Sequence, residues 1–460
     1  MTPSAASARV AIVGAGPAGA FAADRLLRAR GDVEIDLFER LPTPWGLLRA
    51  GVAPDHQEIK RLDETFDRQT LERGCRLFGN VAVGVDLSHE DLMRHYTAVV
   101  YATGAQTDKS LGIPGEDLPG SWPATEFVAW YNGHPDYREL EFDLSHERAV
   151  VIGNGNVAAD VVRVLTRSSA ELERTDIADH ALEALRESRI EEVVVLGRRG
   201  PAQAAFTSSE LRELGHIDGV DLRVEPEDAG LDPLSQEWLD TEGTFTARKN
   251  VELLSEFAAR PPGDGARRIV LRFLRSPIEI RGADRVEAID VGRNEIVRAD
   301  DGTLRPRPVD DDLETIECGL VLRSVGYRAV PLPDVPFDER AYVLPNDRGR
   351  VRDTEGNPFP GVYAVGWIKR GPTGILGTNK RDAEETVDRL AEDLDSGALK
   401  PRRLPEREEI EAMIRARKPD VVTAAGWHAI DARELQLGED AERPRVKLAS
   451  REDLLAAAST

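Results

Sequence analysis

The hydrophobic pattern of the chain repeats itself in two places about 140 residues apart. In each place a short apolar run, at 10–13 or 150–152, leads into a glycine-rich turn and then into small residues with helical spacing. A second apolar run follows each helix, at 33–38 and at 193–197. A strand, a glycine turn, a helix and a second strand together predict a β-α-β unit of a parallel sheet. The sequence therefore predicts two such units.

The rest of the pattern predicts further strands and helices. Strands are predicted over 76–85, 97–103, 318–325 and 361–366, and antiparallel strands over 269–273, 279–280 and 285–292. Helices are predicted over 58–73, over the polar stretch 167–190 and over 378–390. Thr378 and Asn379 are the start signals of the last helix. Strands that alternate with helices indicate the α/β class.

Composition narrows the class of protein and its compartment. The chain has 460 residues, of which 41% are hydrophobic and 31% charged, which predicts two or three soluble globular domains. It contains no apolar run of about 18 residues that would span a bilayer, and residues 1–8 are too short and polar for a signal peptide. Cys75 and Cys318 fit no metal or disulfide spacing, which favours a reducing compartment. We therefore expect a cytoplasmic protein.

The charge of the chain limits its partners. The net charge is −23, from 60 Lys and Arg against 83 Asp and Glu. This net charge argues against nucleic acid as a partner, because the phosphate backbone is also negative. The protein would also repel an acidic protein partner unless basic residues cluster locally. Candidate clusters include Lys369–Arg370 and Lys380–Arg381. The alternative interpretation of each cluster is a solvated face.

Each glycine of the first turn has a separate task. Gly14 allows the tight bend after the strand, Gly16 lets a pyrophosphate approach the backbone, and Gly19 lets helix and strand pack closely. The N-terminus of the following helix offers amides and a partial positive charge to phosphates. Glu39, at the end of the second strand, can accept hydrogen bonds from a ribose diol. This order predicts a dinucleotide site, and its place near the N-terminus of the chain favours FAD.

The second turn is followed by the opposite charge. Ala158 stands where the fingerprint has its third glycine, and no acidic residue ends the second strand. Arg198 and Arg199 stand there instead, and guanidiniums bind a ribose 2′-phosphate that a carboxylate would repel. The pair favours NADP over NAD; the alternative is an arginine pair on a solvated strand end. Two different dinucleotides in one chain indicate an enzyme that passes electrons between them.

Five stretches of the chain resemble the adrenodoxin reductase family. They are 14–19, 41–47, 51–56, 197–201 and 366–374, and the resemblance runs almost continuously from residue 9 to about 395. The family comprises FAD-containing ferredoxin–NADP reductases, including bacterial members. The resemblance implies an α/β fold of two Rossmann-like three-layer dinucleotide-binding domains, with the NADP domain inserted into the FAD domain.

The resemblance also implies the domain boundaries. The FAD domain would consist of 1–106 and 327–396, and the inserted NADP domain of 107–326. Residues 397–460 resemble the C-terminal extension of longer bacterial members, and no motif in them indicates a purpose.

The family's cofactor contacts carry over to two sets of residues. The contacts implied for FAD are Gly14, Gly16, Ala18, Gly19, Glu39, Leu47, Val83, Trp367, Gly374, Ile375 and Leu376. Those implied for NADP are Lys109, Asn154, Gly155, Asn156, Val157, Arg198, Arg199, Glu210 and Gly374. Lys109 stands where the family often has arginine, which keeps the charge and weakens a bidentate contact. Trp367 matches the family where many other flavoproteins have aspartate.

His56 and Glu213 resemble the family's polar pair near the flavin and the nicotinamide, which implies a part in hydride transfer and electron passage. In physical terms, Trp367 can cover the flavin and exclude water, and the helix after Gly374 can direct its positive end at the flavin. Plainer interpretations stay open. His56 can be a satisfied loop histidine and Trp367 a core aromatic residue. Glu210 and Glu213, three apart on one helix face, can be solvated carboxylates.

The resemblance implies an NADPH-dependent ferredoxin reductase, in which a hydride passes to FAD and single electrons then pass to an iron–sulfur ferredoxin. The sequence has no metal ligand set, so the cluster is expected on the partner. An acidic ferredoxin would dock near Lys369, Arg370, Lys380 and Arg381. The absence of a C-x-x-C pair argues against a disulfide reductase. A flavin subunit that feeds electrons to a larger complex and an NADP-sensing flavoprotein with little turnover stay as alternatives.

Overall fold

The computed structural model describes residues 8–261, 263, 265–374, 376–399 and 405–459. The strands are β1 (Ala8–Val13), β2 (Val33–Phe38), β3 (Arg76–Phe78), β4 (Ala98–Tyr101), β5 (Thr107–Asp108), β6 (Ser121–Pro123), β7 (Arg148–Ile152), β8 (Glu192–Gly197), β9 (Val220–Val224), β10 (Arg267–Phe273), β11 (Arg275–Arg281), β12 (Ala288–Arg298), β13 (Leu304–Glu317), β14 (Leu320–Arg323), β15 (Tyr327–Arg328), β16 (Asn346–Asp347), β17 (Arg350–Arg352) and β18 (Pro358–Ala364).

The helices complete the list of elements. They are α1 (Pro17–Ala29), α2 (Leu47–Ala50), α3 (Gln57–Lys60), α4 (Leu62–Gln69), α5 (His89–His95), α6 (Ala124–Tyr131), α7 (Asn156–Thr166), α8 (Ser169–Leu172), α9 (Asp179–Arg186), α10 (Ser208–Leu214), α11 (Pro226–Ala229), α12 (Pro233–Thr241), α13 (Phe245–Ala258), α14 (Trp367–Arg370), α15 (Leu376–Asp395), α16 (Arg407–Arg417), α17 (Ala424–Asp440) and α18 (Arg451–Ala458). Two 3₁₀ turns lie at Leu71–Arg73 and Pro201–Gln203. Among the described residues no helix has the length and apolar content needed to cross a membrane.

The chain forms two compact units. The first consists of the described parts of Met1–Thr107, Asn132–Asp136 and Tyr327–Thr460. The second consists of the described parts of Asp108–Tyr131 and Tyr137–Gly326. Each unit is built on its own sheet of mainly parallel strands and is described separately below.

The first unit contains a seven-stranded sheet in the order β16-β17-β18-β4-β1-β2-β3. β1 pairs in parallel with β2 and with β4, and β17 pairs antiparallel with β16 and β18. Val13, the last residue of β1, pairs with Phe38, the last residue of β2. Because parallel strands end at the same edge of a sheet, the glycine turn after β1 and the residue after β2 are neighbours.

Both faces of β1 are buried. Val10 and Ile12 lie in one apolar cluster, which also contains residues of α1 and α15. Ala11 and Val13 point the other way, into a cluster that contains residues of α5 and α16. Successive side chains of a strand point to opposite faces, so a continuous apolar run is what a strand covered on both sides requires.

The second unit contains a six-stranded sheet, β6-β14-β7-β8-β10-β9, and a three-stranded antiparallel sheet, β11-β12-β13. One face of the larger sheet, with Val151 and Val195, packs against helices. The other face, with Val150 and Val194, shares a cluster with Ile289 of β12 and with residues of β11 and β13. The third layer of this unit is therefore the small antiparallel sheet.

One predicted strand direction is wrong. The run 269–273 lies in β10, which pairs in parallel with β8 and β9 rather than antiparallel with its sequence neighbours. The partners of β10 lie far away in the chain, and the side-chain alternation of a strand carries no information on strand direction. The runs 279–280 and 285–292 lie in or overlap β11 and β12, which are antiparallel as predicted.

Several predicted elements are shorter or begin elsewhere. The predicted strand 76–85 ends at Phe78, because Asn80 turns the chain with φ +60°. The polar stretch 167–190 forms two short helices, α8 and α9, and the first begins at a capping box of Ser168 and Glu171. α15 begins at Leu376, before both predicted start signals. The region 58–73 divides into α3, α4 and a 3₁₀ turn.

Candidate functional site

The turn after β1 requires glycine at two positions and leaves space at a third. Gly14 has φ +103°, and a Cβ there would lie 2.5 Å from the Ala102 carbonyl oxygen. A Cβ at Gly19 would lie 2.1 Å from the Gly14 carbonyl oxygen. At Gly16 the nearest atom to an added Cβ is the Cα of Gly46, at 3.8 Å. Gly16 therefore leaves an open side next to the N-terminus of α1, where backbone N–H groups point outward.

Glu39 lies beside this turn, directly after β2. Its carboxylate oxygens accept hydrogen bonds from the backbone N–H groups of Ala15 and Leu41, each at 3.1 Å. Burial raises the pKa of Glu39, and the same two N–H groups act to lower it. The side chain is half-buried, so it is held in one place and is still open to a hydroxyl group of a ligand.

The loop that follows β2 folds back over the glycine turn. The Trp45 N–H donates to the Ala15 carbonyl at 2.8 Å. Gly46 has φ +47°, and a Cβ there would lie 3.1 Å from the Gly16 Cα. The two glycines face each other and form a cradle that a side chain would fill. Leu47, which is 37% exposed, begins α2 at this point. The sequence prediction did not single out Gly46, although the motif that carried the resemblance includes it.

The loop after β18 brings Gly366, the residue before Trp367, against Ala18 of α1. Gly366 has φ +75°, and a Cβ there would lie 2.6 Å from the Ala18 Cβ. The ring of Trp367 lies 5.1 Å from that of Tyr327, centroid to centroid. Its Nε1 is buried and has no hydrogen-bond partner within the described part of the chain. Val83 packs against the same apolar cluster as Trp367. A buried donor without a partner needs an acceptor, which a ligand can supply.

The other residues predicted to meet the flavin surround the start of α15. Gly374 has φ +83° and Leu376 is the first residue of this 20-residue helix. Ile375 lies outside the described residues. The N-terminal N–H groups of a helix lack intrahelical acceptors, so this end of α15 is suited to an electron-rich group.

The second glycine turn, after β7, has the same construction in the second unit. Gly153 has φ +121°, and a Cβ there would lie 2.1 Å from the Ser324 carbonyl oxygen. A Cβ at Gly155 would meet no atom nearer than 4.0 Å. Gly155 is the N-cap of α7, and Asn156 and Val157 form its first turn. The strained glycine and the open glycine thus occupy the positions of Gly14 and Gly16 in the first unit.

Two asparagines join this turn to the loop before α10. The Asn154 carbonyl accepts a hydrogen bond from the Ala205 N–H at 3.1 Å, and Asn156 Oδ1 accepts one from the Thr207 N–H at 2.8 Å. Asn154 Nδ2 is buried and has no partner among the described residues. Ala158 is fully buried, so its methyl group fits where the fingerprint has a third glycine.

Arg198 and Arg199 follow β8 with exposed side chains. Their carbonyls are held: that of Arg198 accepts from Asn294 Nδ2 at 2.8 Å, and that of Arg199 from the Leu274 N–H at 3.1 Å. Enclosure of the guanidinium group and the charge of Arg198 lower the pKa of Arg199, although the residue as a whole is exposed. Neither side chain has a carboxylate partner among the described residues. Two adjacent cations without an anion fit a phosphate group.

Glu210 and Glu213 lie on α10 and face one buried cation. Arg163 of α7 is fully buried, and its NH2 contacts Asp160 Oδ1 at 2.5 Å. Its NH1 forms an ion pair with Glu210 and lies 4.0 Å from Glu213 Oε2. Glu210 is therefore an ion-pair partner and not a solvated carboxylate, while Glu213 is 46% exposed. The sequence analysis missed Arg163, although a charge inside the apolar run 161–165 is a visible signal.

The two remaining predicted residues lie in different units. His56 is the half-buried N-cap residue of α3 in the first unit. Lys109 is exposed in the second unit, and its N–H donates to the Gly326 carbonyl at 2.9 Å.

The predicted docking cluster needs correction. Lys369 is buried, and its Nζ lies 3.0 Å from Asp382 Oδ1 and 2.8 Å from Glu385 Oε2. Arg370 is largely enclosed and donates to Asn379 Oδ1 at 2.9 Å. Both cations therefore belong to the packing of α14 against α15, because carboxylates of α15 face them. Lys380 and Arg381 are exposed and form no ion pair within the described residues.

The structure thus shows two units, each with a sheet of mainly parallel strands and a glycine turn that opens onto a helix N-terminus. A carboxylate ends the second strand of one unit and two guanidiniums end that of the other. These features define the class of two-domain, dinucleotide-binding oxidoreductases.

Comparisons with known proteins identify the family within that class. The profile described as "Pyridine nucleotide-disulphide oxidoreductase" matches residues 8–198. The chain is 49% identical to the NADPH-ferredoxin reductase FprA of Mycobacterium tuberculosis over 455 residues, 97% of this chain and 98% of the relative. It is 43% identical to the mitochondrial NADPH:adrenodoxin oxidoreductase of Arabidopsis thaliana, over 98% of this chain and 95% of the relative. The chain belongs to this family of reductases, which confirms the resemblance inferred from the motifs.

A solved structure confirms the fold class. The structure described as "Mycobacterium tuberculosis FprA in complex with NADPH" matches with a TM-score of 0.93 and 48% identity. The match covers 98% of this chain and all of the other.

Proposed function

We propose that this protein is an NADPH–ferredoxin reductase that holds FAD in the first unit and NADP(H) in the second. The observation that carries the proposal is the charge at the strand ends: Glu39 after β2, and Arg198 with Arg199 after β8. The relatives named above are NADPH-dependent reductases of ferredoxin or adrenodoxin, and one solved FprA structure contains NADPH.

The first unit has the features that FAD requires. The open side at Gly16 would take the pyrophosphate against the N-terminus of α1, and Glu39 would accept hydrogen bonds from a ribose. Trp367 would cover the flavin and offer its Nε1 as a donor. The contacts would be completed by Leu47, Val83, Gly374, Ile375 and Leu376. Bound FAD supplies chemistry that the side chains lack, since it takes up a hydride and gives electrons one at a time.

The second unit has the features that NADP(H) requires. The first turn of α7, from Gly155 to Val157, would bind the pyrophosphate through backbone N–H groups. Arg198 and Arg199 would bind the 2′-phosphate with charge-assisted hydrogen bonds. Asn294 holds the carbonyl of Arg198, which keeps the backbone of this pair in place. Asn154 Nδ2 is a further donor for the pyrophosphate, and Lys109 a further cation.

Three polar residues are proposed for the nicotinamide side of the reaction. Arg163 holds the Glu210 carboxylate in place, because the arginine side of this ion pair is fully buried. Glu213 is more exposed and is proposed, with His56, to orient the reacting groups and to carry protons between them and solvent.

The electron acceptor is proposed to be an iron–sulfur ferredoxin with an acidic surface. Of the four residues of the predicted docking cluster, Lys380 and Arg381 are the two that are exposed. An acidic partner would bind to them through opposite charge. Cys75 and Cys318 are free, buried thiols, and burial raises the pKa of each to about 12. Neither thiol forms a disulfide, which suits a reducing compartment, so we propose a cytoplasmic location.

The proposal is tested on the purified protein. We expect one FAD per chain, loss of the oxidised flavin absorbance within the mixing time when NADPH is added without oxygen, and cytochrome c reduction that depends on added ferredoxin. A sample that takes up no FAD contradicts the proposal. Fast flavin reduction without electron transfer to any ferredoxin of a panel would contradict the acceptor and leave the nucleotide sites in place.

A further inference from the structure

The C-terminal segment, defined here as residues 405–459, is part of the core of the first unit. Ile410 and Ile414 of α16 lie in the apolar cluster on one face of the seven-stranded sheet. Trp427 and Ile430 of α17 lie in the cluster on the other face. A segment buried on both faces of a sheet is not an appended tail, and its polar contacts show which loops it holds.

Glu434 of α17 is the most buried polar residue of the C-terminal segment. Its carboxylate is fully buried and binds the Arg49 guanidinium at two points, 2.8 and 2.5 Å. It also accepts hydrogen bonds from Arg445 NH1 at 3.1 Å and from the Leu448 N–H at 2.8 Å. Burial acts to raise the pKa of Glu434, and the two arginines outweigh it, so the pKa lies below its ordinary value. The carboxylate is therefore ionised and closely surrounded.

Arg49 belongs to α2, the short helix that begins at Leu47 after the Gly46 turn. Two more residues of the C-terminal segment hold this helix. Lys447 Nζ donates to the Arg49 carbonyl at 3.2 Å, and the Trp427 ring centroid lies 5.8 Å from the Arg49 guanidinium carbon. Side chain and backbone of one α2 residue are thus both fixed by the C-terminal segment.

A second anchor lies after β3. Gly79 and Val422 exchange two backbone hydrogen bonds, at 2.7 and 2.9 Å. The side chain of Asn80 donates to Asp420 Oδ2 at 2.9 Å and accepts from Arg451 at 2.5 Å. The Asn80 N–H in turn donates to the Leu41 carbonyl at 2.8 Å. The C-terminal segment therefore holds the loop after β2 at both ends: near its start, through Asn80 and Leu41, and at α2, through Arg49.

Between these anchors lie the groups that shape the first glycine turn. Leu41 donates its N–H to Glu39, and Trp45 donates its N–H to the Ala15 carbonyl. Gly46 faces Gly16 across the cradle. Any movement of the loop after β2 would therefore change the space in which the dinucleotide lies.

We infer that the C-terminal segment is a positioning element for the flavin nucleotide, which it retains by holding the loop 39–51 against the glycine turn. Glu434 is its principal positioning residue, since it clamps α2 through Arg49. The inference rests on the proposed function, because it requires that the first unit binds FAD. The ligand is a dinucleotide, and the C-terminal segment acts on it through the loop 39–51, without direct contact.

The test compares two Glu→Gln variants on the same helix. Glu434→Gln removes the charge that binds Arg49 and keeps the side-chain shape, while Glu439→Gln changes an exposed residue of α17. FAD release after dilution is followed by the rise of free-flavin fluorescence. We expect Glu434→Gln to release FAD about 10-fold faster or more, the usual size of a coupling between two sites, and Glu439→Gln to match the wild type.

Hydrogen exchange of the flavin-loaded protein separates positioning from local packing. In Glu434→Gln we expect faster amide exchange at Trp45 and over α2, with no change in α13 of the second unit. Faster exchange confined to α17, with unchanged FAD release, would overturn the inference. If Glu434→Gln does not fold, Lys447→Met removes the contact to the Arg49 carbonyl, and the same two readouts apply.

The outcomes distinguish this inference from the proposed function. A wild type that retains FAD while both Glu434 and Lys447 variants retain it equally well overturns the positioning role alone. A wild type that binds no FAD overturns the proposed function and this inference together.

Discussion

The glycine turn of the first unit and that of the second share a backbone and differ in what stands beside it. Gly14 and Gly153 both have positive φ and sit against a carbonyl oxygen, and Gly16 and Gly155 are both open. Beyond the second strand the first unit places Glu39, which two backbone N–H groups orient. The second places two guanidiniums there. The shared turn suits a dinucleotide in both units, and we propose that the residues after the second strand determine which dinucleotide each unit binds.

The largest effect is expected from removing the charges of the second unit. Arg198→Ala with Arg199→Ala removes the groups proposed to bind the 2′-phosphate. A hydrogen bond to a charged group contributes about 1.5–3 kcal/mol. The loss of one such bond from each arginine costs about 3–6 kcal/mol, so the KM for NADPH should rise roughly 10²- to 10⁴-fold. The KM for NADH should change little. Arg174→Ala, an exposed arginine of the same unit, is the matched control, and equal effects on both nucleotides would show that the pair does not read the phosphate.

The two glycines of the second turn should separate folding from binding. Gly153→Ala puts a Cβ 2.1 Å from the Ser324 carbonyl oxygen at φ +121°, which should lower the free energy of unfolding by about 2–4 kcal/mol. Gly155→Ala meets open space, so stability should change by less than about 0.5 kcal/mol. Its methyl group would nevertheless obstruct the pyrophosphate and weaken NADPH binding about 10-fold or more.

Thermal unfolding and NADPH titration of both variants measure this difference. If Gly155→Ala binds NADPH as the wild type does, the open side of the turn is not the phosphate site.

A smaller effect is expected from the acidic residue of the first unit. Glu39→Gln removes the charge that would bind the ribose hydroxyls, which should weaken FAD binding by about 1.5–3 kcal/mol. NADPH affinity should be unaffected. Glu72→Gln, an exposed position in the same unit, serves as the control. Equilibrium dialysis of FAD gives the dissociation constants, and an unchanged value for Glu39→Gln would remove this residue from the site.

The smallest expected effect is on the pH dependence of stability, which has opposite signs for one buried group in each unit. Burial raises the pKa of Asp108 in the second unit to about 6, so its contribution to stability is present below about pH 4 and lost as pH rises through 6. Burial lowers the pKa of His134 in the first unit to about 4, from 6.5. Its contribution is present above pH 6.5 and lost as pH falls towards 4.

Asp108→Asn should therefore stabilise the protein at pH 8 by about 1–2 kcal/mol and lose that gain near pH 4. Thermal unfolding of the variant and the wild type at both values measures the difference. A gain that is the same at pH 4 and pH 8 would contradict the raised pKa.

The sequence was most informative where chemistry follows directly from local order. Strand, glycine turn, helix and strand are contiguous at 10–38 and at 150–197, so both turns and the charges after them could be read without knowledge of distant contacts. The family resemblance and the fold class were predicted correctly for the same reason, since the motifs are long and uninterrupted.

The errors concern properties that distant residues determine. The direction of β10 depends on β8 and β9, which local alternation does not specify. The sequence predicted Lys369 to be a surface cation, but in the folded chain it is buried against Asp382 and Glu385 of α15. Glu434 and Arg49 are 385 residues apart in the chain, and neither local sequence predicts their contact.

The most direct test of the account compares two small ligands on the flavin-loaded wild type. Calorimetric titration with 2′,5′-ADP and with 5′-AMP isolates the contribution of the 2′-phosphate in the second unit. The account predicts that 2′,5′-ADP binds at least about 100-fold more tightly, competes with NADPH and leaves FAD in place. Equal affinities for the two ligands, or release of FAD by 2′,5′-ADP, would contradict it.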